Sequence, residues 1–188
     1  DFEKIYLYPN HHARYYPGAK TIAIKLIFAK ADGRILGAQA YGEEGVDRRI
    51  DVIATLIQKG GTVYDLEEAE LCYAPQYGSA KDAANFAGMI AANVLRKDMP
   101  VAHWSTDNES LLLDVREPAE IATYAVSDAI HIPLRQLRAR LSELPRDREI
   151  AVICRSGQRA YLATRILLQN GFSAKTLSGG VLAVQETI

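Results

Sequence analysis

The sequence predicts two domains, an α+β domain with an antiparallel sheet and helices, followed by an α/β domain with a parallel sheet. Three observations lead to this prediction. Two β-rich stretches separated by Asp32-Gly33 are typical of a hairpin of antiparallel strands. The periodicity breaks over 97–110, a polar stretch that contains Pro100 and indicates a connection between domains. Beyond it, short apolar strands alternate with helical segments, as in a parallel sheet covered by helices.

The strands and the first helix of the first half follow from their residue patterns. The stretches at 21–30 (TIAIKLIFAK) and 34–42 (RILGAQAYG) are rich in β-forming residues, and the Asp-Gly between them supplies the positive-φ positions of a tight turn. Over 44–61, apolar residues recur at helical spacing until Gly60-Gly61. We therefore expect a β-hairpin and then a helix that ends at the two glycines.

Two further helices are predicted before the break. Thr62 is the candidate cap of a short acidic helix. A longer helix is expected over 79–98, with Ser79 as its N-cap and Asp82 three residues on as a variant capping box. Its small residues are Ala83, Ala84, Ala87, Gly88, Ala91 and Ala92. They form a smooth side that permits close helix approach, either within the fold or across a dimer.

The second half is predicted to alternate strands with helices. Four strands are expected at 111–115, 129–133, 149–154 and 174–180. Helical segments lie between them, and Gly171 ends the longest one as a C′ residue. With the break between the halves taken as a linker, we expect domains at 1–98 and 110–188, joined by a linker at 99–109.

Composition and charge narrow the classes of function. The 188 residues carry a net charge of −1, so no global field favours nucleic acid or an anionic membrane as a partner. No apolar run approaches the length of about 18 residues that a membrane span needs, and the start carries no secretory signal pattern. With two cysteines, Cys72 and Cys154, a reduced and cytoplasmic chain is the expectation.

The segment CRSGQRA (154–160) is the strongest candidate site. Cys154 ends a predicted parallel strand, and ligands bind beyond the carboxyl ends of such strands. Gly157 permits a sharp turn into the helix, so loop N–H groups and the free N–H groups at the helix start can point at an anion. Arg155 and Arg159 add positive charge. A thiolate would be stabilised in this position, which favours a reactive cysteine.

Two other interpretations of the loop stay open. A structural cysteine is one, because free cysteines are often buried. Phosphate chemistry is the other, because protein tyrosine phosphatases wrap a phosphate in a C-x5-R loop. The spacing from Cys154 to Arg159 is C-x4-R, and the shorter loop better suits a sulfur atom carried on the cysteine.

Residues 111–180 resemble a rhodanese domain through LLDVREPAE, AIHIPL, CRSGQRA and LSGG, which occur in the order and spacing of that family. The resemblance implies that Cys154 takes sulfane sulfur from a donor, becomes a persulfide and passes the sulfur to a thiophilic acceptor. It also implies a persulfide cradle, formed by Arg155, Ser156, Gly157, Gln158 and Arg159. Asp114 and Arg116 match the family's DVR signature, and we expect them to anchor a strand end by hydrogen bonds.

Two loops of the first half are rich in histidine and tyrosine. His11 and His12 are adjacent, and no further ligands accompany them, so we expect polar loop histidines and no metal site. Four tyrosines lie in two loops that contain proline, at Tyr15, Tyr16, Tyr73 and Tyr77. A buried tyrosine cluster is the default expectation here, with polar partners for the hydroxyl groups.

Residues 2–98 resemble the C-terminal dimerisation domain of flavin-dependent pyridine nucleotide-disulfide oxidoreductases, above all the coenzyme A-disulfide reductase and NADH oxidase-like subgroup. The resemblance is carried by YYPGA, DGRILGAQ, EGVDRRIDVIATLIQ, YAPQYGSAKD and NFAGMIAANVL. With a rhodanese domain behind it, the chain resembles coenzyme A-disulfide reductase–rhodanese fusions, also described as NADH-dependent persulfide reductases. This implies a homodimer in which Tyr15 and Tyr73 assist thiolate chemistry at the partner's flavin site.

The FAD- and NAD-binding modules of that family precede this domain, each with a GxGxxG loop, and no GxGxxG occurs in this chain. We therefore expect a C-terminal fragment that binds no cofactor by itself, whereas the resemblance implies FAD, NAD(P)H and coenzyme A for the full-length protein. The redox cysteine of those enzymes lies in the missing modules, so Cys72 is expected to be a small buried residue. Thiosulfate, persulfides and coenzyme A are the expected small-molecule partners.

Two functions follow from these expectations. One is a sulfurtransferase module that delivers persulfide sulfur to a fused flavin reductase. The other is a non-catalytic dimerisation and thiol-docking module of an NADH oxidase-like protein. Many rhodanese folds lack the loop cysteine, so the presence of Cys154 favours the first.

Overall fold

The computed structural model describes residues 1–105 and 109–185. It divides the chain after Arg96 into two compact units, here called the N-terminal unit and the C-terminal unit. Positions 106–108 of the predicted linker and 186–188 of the predicted second domain lie outside the described residues. Both predicted fold classes are confirmed, because an antiparallel sheet with helices is followed by a parallel sheet with helices.

The N-terminal unit is built on a three-stranded antiparallel sheet in the order β1-β2-β3. The strands are β1 (Phe2–Leu7), β2 (Ile22–Ala29) and β3 (Ile35–Gly42). The predicted hairpin of β2 and β3 is confirmed, and Gly33 in its turn has a φ of 75°. Alternate side chains of β2 are fully buried, so one face of the sheet lines the core. The residue pattern did not predict β1.

Three helices cover this sheet, α1 (Val46–Gln58), α2 (Val63–Glu68) and α3 (Ala83–Leu95). The predicted cap of α2 is confirmed, because Thr62 forms a capping box with Asp65. The predicted N-cap of α3 is wrong. The helix begins after Asp82 and not after Ser79, since the Asp82 carboxylate accepts the Ala84 N–H and also pairs with a buried arginine of α1.

The small residues of α3 pack inside the N-terminal unit. All six are buried, and Gly88 lies directly against the backbone of α2. A Cβ atom added at Gly88 would lie 2.3 Å from the Glu67 nitrogen, so only glycine fits this approach. Of the two predicted uses of this face, close approach within the fold is the one that the structure contains.

The C-terminal unit contains a five-stranded parallel sheet in the order β4-β8-β7-β5-β6. The strands are β4 (Val101–Ala102), β5 (Leu111–Asp114), β6 (Ile130–His131), β7 (Ile150–Ile153) and β8 (Ala174–Leu177). The central strand β7 is fully buried, as expected for a strand covered on both faces. Residues 101–102 of the predicted linker form the edge strand β4.

The helices of the C-terminal unit connect these strands. They are α4 (Pro118–Thr123), α5 (Gln158–Gln169) and α6 (Leu182–Gln185). The segment predicted as helical between β6 and β7 forms two short 3-10 helices, Leu134–Ala139 and Leu141–Glu143. Gly171 has a φ of 77° just beyond α5, which confirms its predicted C′ position. In neither described range is a helix both long and apolar enough to cross a membrane.

Candidate active site

Cys154 is the residue that immediately follows the central strand β7. Its side chain is buried, and its Sγ atom accepts two backbone hydrogen bonds, from Gly157 N–H at 3.2 Å and from Ala160 N–H at 3.3 Å. Gly157 has a φ of 100°, so the turn into α5 uses the left-handed region that favours glycine. The sulfur therefore lies at the carboxyl edge of the sheet, facing the first turn of a helix.

The second of these donors, Ala160, was not named among the predicted cradle residues, although N–H groups at the helix start were expected to point at an anion. Ala160 is the third residue of α5, and the first N–H groups of a helix have no partner within the helix. Its apolar side chain gives no chemical signal. The signal lies in the position, because the helix start predicted at Gly157 leaves the N–H groups of Gln158, Arg159 and Ala160 without intrahelical acceptors.

The Gly179-Gly180 turn packs against the backbone of the cysteine loop. A Cβ atom at Gly180 would lie 2.3 Å from the Cys154 carbonyl oxygen. The same carbonyl accepts the Val181 N–H at 2.9 Å, and the Arg155 carbonyl accepts the Leu182 N–H at 3.0 Å. The LSGG segment thus fixes the backbone on which the thiol is carried.

Arg159 is held by a carboxylate that sequence reasoning did not single out. Its two terminal nitrogens donate to the two carboxylate oxygens of Glu120, both at 2.6 Å. Glu120 lies in the first turn of α4, where it also accepts the Glu117 N–H at 3.0 Å. The hydrogen bonds from Arg159 lower the pKa of Glu120 to about 2. The same pair raises the pKa of Arg159, and the nearby Cys154 contributes in the same direction.

The other predicted cradle residues differ in exposure. Arg155 and Gln158 are exposed, whereas Ser156 is half-buried. Within the described ranges, Arg155 has no carboxylate partner like the one that holds Arg159. The exposed charge of Arg155 is therefore not neutralised by a carboxylate in the way that the charge of Arg159 is.

Asp114 and Arg116 lie together at the end of β5, both buried. The Arg116 Nε donates to both Asp114 carboxylate oxygens at 3.0 Å, and a terminal nitrogen donates to one of them at 2.6 Å. The Arg116 carbonyl in turn accepts a hydrogen bond from His131 Nε2 at 2.9 Å. These contacts suit the anchoring of a strand end, because they leave little of either side chain for a ligand.

Tyr15 and Tyr73 are brought together in the N-terminal unit. Their hydroxyl oxygens lie 2.8 Å apart, and the side chains are 75% and 49% exposed. Hydrogen bonding to Tyr73 raises the pKa of Tyr15. Tyr16 and Tyr77 are exposed as well, so the expected buried tyrosine cluster is wrong. Besides this hydroxyl pair, the Ala13 N–H joins the two loops by hydrogen bonds to the carbonyl groups of Pro75 and Gly78.

Cys72 and the two histidines also differ from expectation. Cys72 is exposed, because it lies in the irregular segment after α2 and not on a core face. His11 and His12 are buried, and His11 Nδ1 accepts the Lys20 N–H while its Nε2 lies 3.2 Å from a Glu44 oxygen. Among the residues with described positions, no cluster of three or more metal-ligating side chains occurs.

A buried ion pair, which was not predicted from the sequence, connects the tyrosine loop to the helices. Arg49 donates to both Asp82 carboxylate oxygens, at 3.1 and 2.7 Å. It also donates to the carbonyl groups of Gly45 and His11. One side chain therefore joins α1, the cap of α3 and the segment that leads to Tyr15.

Comparisons with known proteins agree with this architecture. Residues 1–84 match the family model of the pyridine nucleotide-disulphide oxidoreductase dimerisation domain, and residues 101–187 match that of the rhodanese-like domain. A sulfurtransferase of Allochromatium vinosum is 43% identical over 74 residues, which cover 39% of this chain and 69% of that protein.

Two solved structures match nearly the whole chain, and a further relative matches about half of it. Reduced CoADR-RHD of Bacillus anthracis is 43% identical with a TM-score of 0.92, and an NAD-dependent persulfide reductase from A. fulgidus is 39% identical with a TM-score of 0.87. Each comparison covers 96% of this chain but only 33% and 34% of the solved chains. Coenzyme A disulfide reductase of Staphylococcus epidermidis is 36% identical over 91 residues, 48% of this chain and 21% of that protein.

The fold and the cysteine loop define a protein in which a disulphide-oxidoreductase dimerisation domain is followed by a rhodanese-like domain, and the chain belongs to this family. Its homologues are, more particularly, the C-terminal domains of coenzyme A disulfide reductases and of an NAD-dependent persulfide reductase. The chain spans about a third of the length of these two solved chains.

Proposed function

We propose that the C-terminal unit is a sulfurtransferase in which Cys154 carries sulfane sulfur as a persulfide. The observation that carries this proposal is the pair of backbone N–H groups that converge on Cys154 Sγ at 3.2 and 3.3 Å. Donors fixed by a turn and a helix start stabilise negative charge on sulfur without reorganising. A thiol held only for packing has no need of two such donors.

The reaction proceeds in two displacements. The Cys154 thiolate attacks the outer sulfur of thiosulfate, a new S–S bond forms on Sγ, and the S–S bond of thiosulfate breaks with its electron pair leaving on sulfite. An acceptor such as cyanide then attacks the terminal sulfur, leaves as thiocyanate and returns the thiolate. Negative charge remains on sulfur in the thiolate and in the persulfide, where the N–H groups of Gly157 and Ala160 can stabilise it.

Thiosulfate:cyanide turnover tests the proposal directly. Cys154→Ser is expected to reduce turnover to background, whereas Cys72→Ser, which removes the exposed cysteine, is expected to retain it. After treatment with thiosulfate, mass spectrometry should find one added sulfur atom on Cys154 in the Cys72→Ser variant. Turnover that survives Cys154→Ser would refute the assignment, and a Cys154 that gains no sulfur would favour the docking module.

We further propose that the sulfur is passed to a flavin-dependent disulfide or persulfide reductase centre, as the names of the relatives suggest. FAD and NAD(P)H would supply the electrons, and coenzyme A is the expected thiol partner. The residues of this chain do not fit a dinucleotide by themselves, because no GxGxxG segment is present. We expect the chain with added FAD to leave NADH unoxidised in the presence of coenzyme A disulfide. Oxidation of NADH would contradict the proposed separation of sulfur transfer from reduction.

The N-terminal unit is proposed to form a homodimer, as the dimerisation-domain match suggests. The Tyr15 and Tyr73 hydroxyls then act as a hydrogen-bonded pair toward a thiolate of the reductase centre. Their exposure leaves them accessible to such a partner. Sedimentation equilibrium of the chain tests the dimer, and a monomer at all concentrations would contradict it.

A further inference from the structure

The pair formed by Glu120 and Arg159 distinguishes the two arginines of the cysteine loop. Arg159 uses both terminal nitrogens on Glu120, at 2.6 Å each. Both side chains are about 30% exposed, so the pair is partly shielded from solvent. Because both terminal nitrogens are engaged, Arg159 cannot offer its full guanidinium fork to an anionic donor.

Glu120 is itself held in place from the other side. Its Oε2 atom accepts the Glu117 N–H as well as a nitrogen of Arg159, which completes the capping box of α4. Glu117 in turn pairs with Arg135 at 2.8 Å. The carboxylate therefore has a fixed position, and it fixes the arginine whose neighbour Ala160 donates to Cys154 Sγ.

The charges around the loop are balanced by these pairs. Glu120 compensates Arg159, and Asp114 compensates Arg116. Within the described ranges, Arg155 differs from Arg116 and Arg159 in having no carboxylate partner. A donor that approaches Cys154 therefore meets about one excess positive charge and not three.

We propose that Glu120 is a positioning residue, which fixes Arg159 beside the cysteine loop and cancels its charge, so that the site does not favour the most highly charged sulfur donors. The inference rests on the proposed sulfur transfer and adds its donor selectivity. Thiosulfate, a dianion, and benzenethiosulfonate, a monoanion, both donate an outer sulfur and leave as sulfite and benzenesulfinate. They differ in charge and therefore report the field at the site.

The test compares kcat/KM for the two donors, with cyanide as acceptor, in the full chain. Glu120→Gln is expected to raise the ratio of thiosulfate to benzenethiosulfonate by about three- to tenfold through KM, because one uncompensated charge acts on one extra unit of donor charge. Glu120→Asp keeps the carboxylate charge, so its ratio should stay within about twofold of the wild type. A residue that only supports the fold would change both donors alike.

Glu143→Gln is the matched control. Glu143 forms a similar two-nitrogen pair with Arg140 at 2.6 and 2.7 Å, but on an exposed 3-10 segment of the same unit. Its removal lowers the net negative charge equally and is expected to leave the donor ratio unchanged.

If Glu120→Gln fails to fold, Arg159→Gln tests the same pair. This change leaves the Glu120 carboxylate uncompensated, so the ratio of thiosulfate to benzenethiosulfonate is expected to fall.

The outcomes separate this inference from the function on which it rests. An unchanged ratio in Glu120→Gln, or an equal change in Glu143→Gln, overturns the charge-cancelling role while wild-type turnover stands. Absence of wild-type turnover with both donors, or turnover that survives Cys154→Ser, overturns the sulfur transfer and the inference with it.

Discussion

At the scale of single residues, the chemistry of the C-terminal unit depends on groups whose positions are fixed by the backbone. The donors to Cys154 Sγ are main-chain N–H groups of Gly157 and Ala160. The charged side chain nearest to them in sequence, Arg159, is fixed by Glu120. In the proposed transfer, the Cys154 sulfur would keep the same hydrogen-bond donors before and after it takes up sulfur.

The Glu120 pair should make the stability of the C-terminal unit depend on pH. The folded-state pKa of about 2 lies below the ordinary 4.5, so the contribution is present above about pH 4.5 and is lost as the pH falls through about 2. We expect Glu120→Gln to be about 1 kcal/mol less stable at neutral pH, an amount set by the partial exposure of the pair. This difference should shrink as the solution is acidified.

Trp104 provides the measurement. It is the chain's single tryptophan, and its Nε1 donates to the Gly180 carbonyl at 2.9 Å, so its fluorescence follows the C-terminal unit. Urea unfolding by this signal gives the difference between wild type and Glu120→Gln at each pH. A difference of constant size down to about pH 3 would contradict the assigned titration.

In the N-terminal unit, the buried Arg49 donates four hydrogen bonds, two of them to the Asp82 carboxylate. Arg49→Met leaves the buried Asp82 carboxylate with weaker compensation, and we expect a loss of about 3 kcal/mol in the free energy of unfolding. Arg48→Met is the control, since Arg48 contacts the same carboxylate from a partly exposed position. Thermal and urea unfolding followed by circular dichroism measure both; equal losses would show that burial of Arg49 is unimportant.

At the scale of elements, glycines set how closely segments approach. Gly88 lets α2 contact the backbone of α3, and Gly180 lets its turn contact the loop of Cys154. In both places a Cβ atom would lie 2.3 Å from a backbone atom, which is far inside contact distance. Neither backbone can move without disturbing the element to which it belongs.

Gly180→Ala tests this contact by its effect on activity. The added Cβ would push the Cys154 carbonyl away, so thiosulfate:cyanide turnover is expected to fall more than about tenfold, because small displacements of reacting groups are costly. Gly171→Ala is the matched control, with a φ of 77° against 59° and no backbone atom close to the new Cβ. It should lose about 1 kcal/mol of stability but keep its turnover. Similar activity in both variants would contradict a supporting role for Gly180.

At the scale of the whole molecule, the cysteine loop obtains every contact described here from its own unit. The C-terminal unit has its own parallel sheet and its own buried clusters around β7. The match to the Allochromatium vinosum sulfurtransferase spans 74 residues and covers 69% of that protein, so it is shorter than one of the two units.

A chain of residues 97–188 is therefore expected to fold and to keep the thiosulfate:cyanide activity of the longer chain within about threefold. Circular dichroism, Trp104 fluorescence and turnover of the short chain check this expectation. A short chain that folds but shows no turnover would mean that the N-terminal unit contributes to the site.

The parts of the site that are local in sequence could be predicted, and the parts that depend on distant partners could not. Gly157 follows Cys154 closely, so the turn and the anion-binding helix start are visible in one short segment. Glu120 lies 39 positions before Arg159, and neither residue type nor spacing indicates the pair.

Capping and exposure were mispredicted for a similar reason. Ser79 and Asp82 are both good N-cap residues. The helix begins after the later of the two, Asp82, whose carboxylate also pairs with the buried Arg49. The exposure of Cys72 and of the four tyrosines depends on the path of irregular loops, which residue type does not determine.

The main-chain origin of the sulfur's hydrogen bonds has a consequence for how such a site can diversify. Substitutions at positions 155, 156 and 158 exchange side chains at the entrance while the amide groups that hold the sulfur stay in place. Under the proposed sulfur transfer, the loop would separate the capture of sulfur from the choice of the molecules that bring it and take it away. Donors and acceptors could then change through these three positions while the backbone N–H donors stay in place.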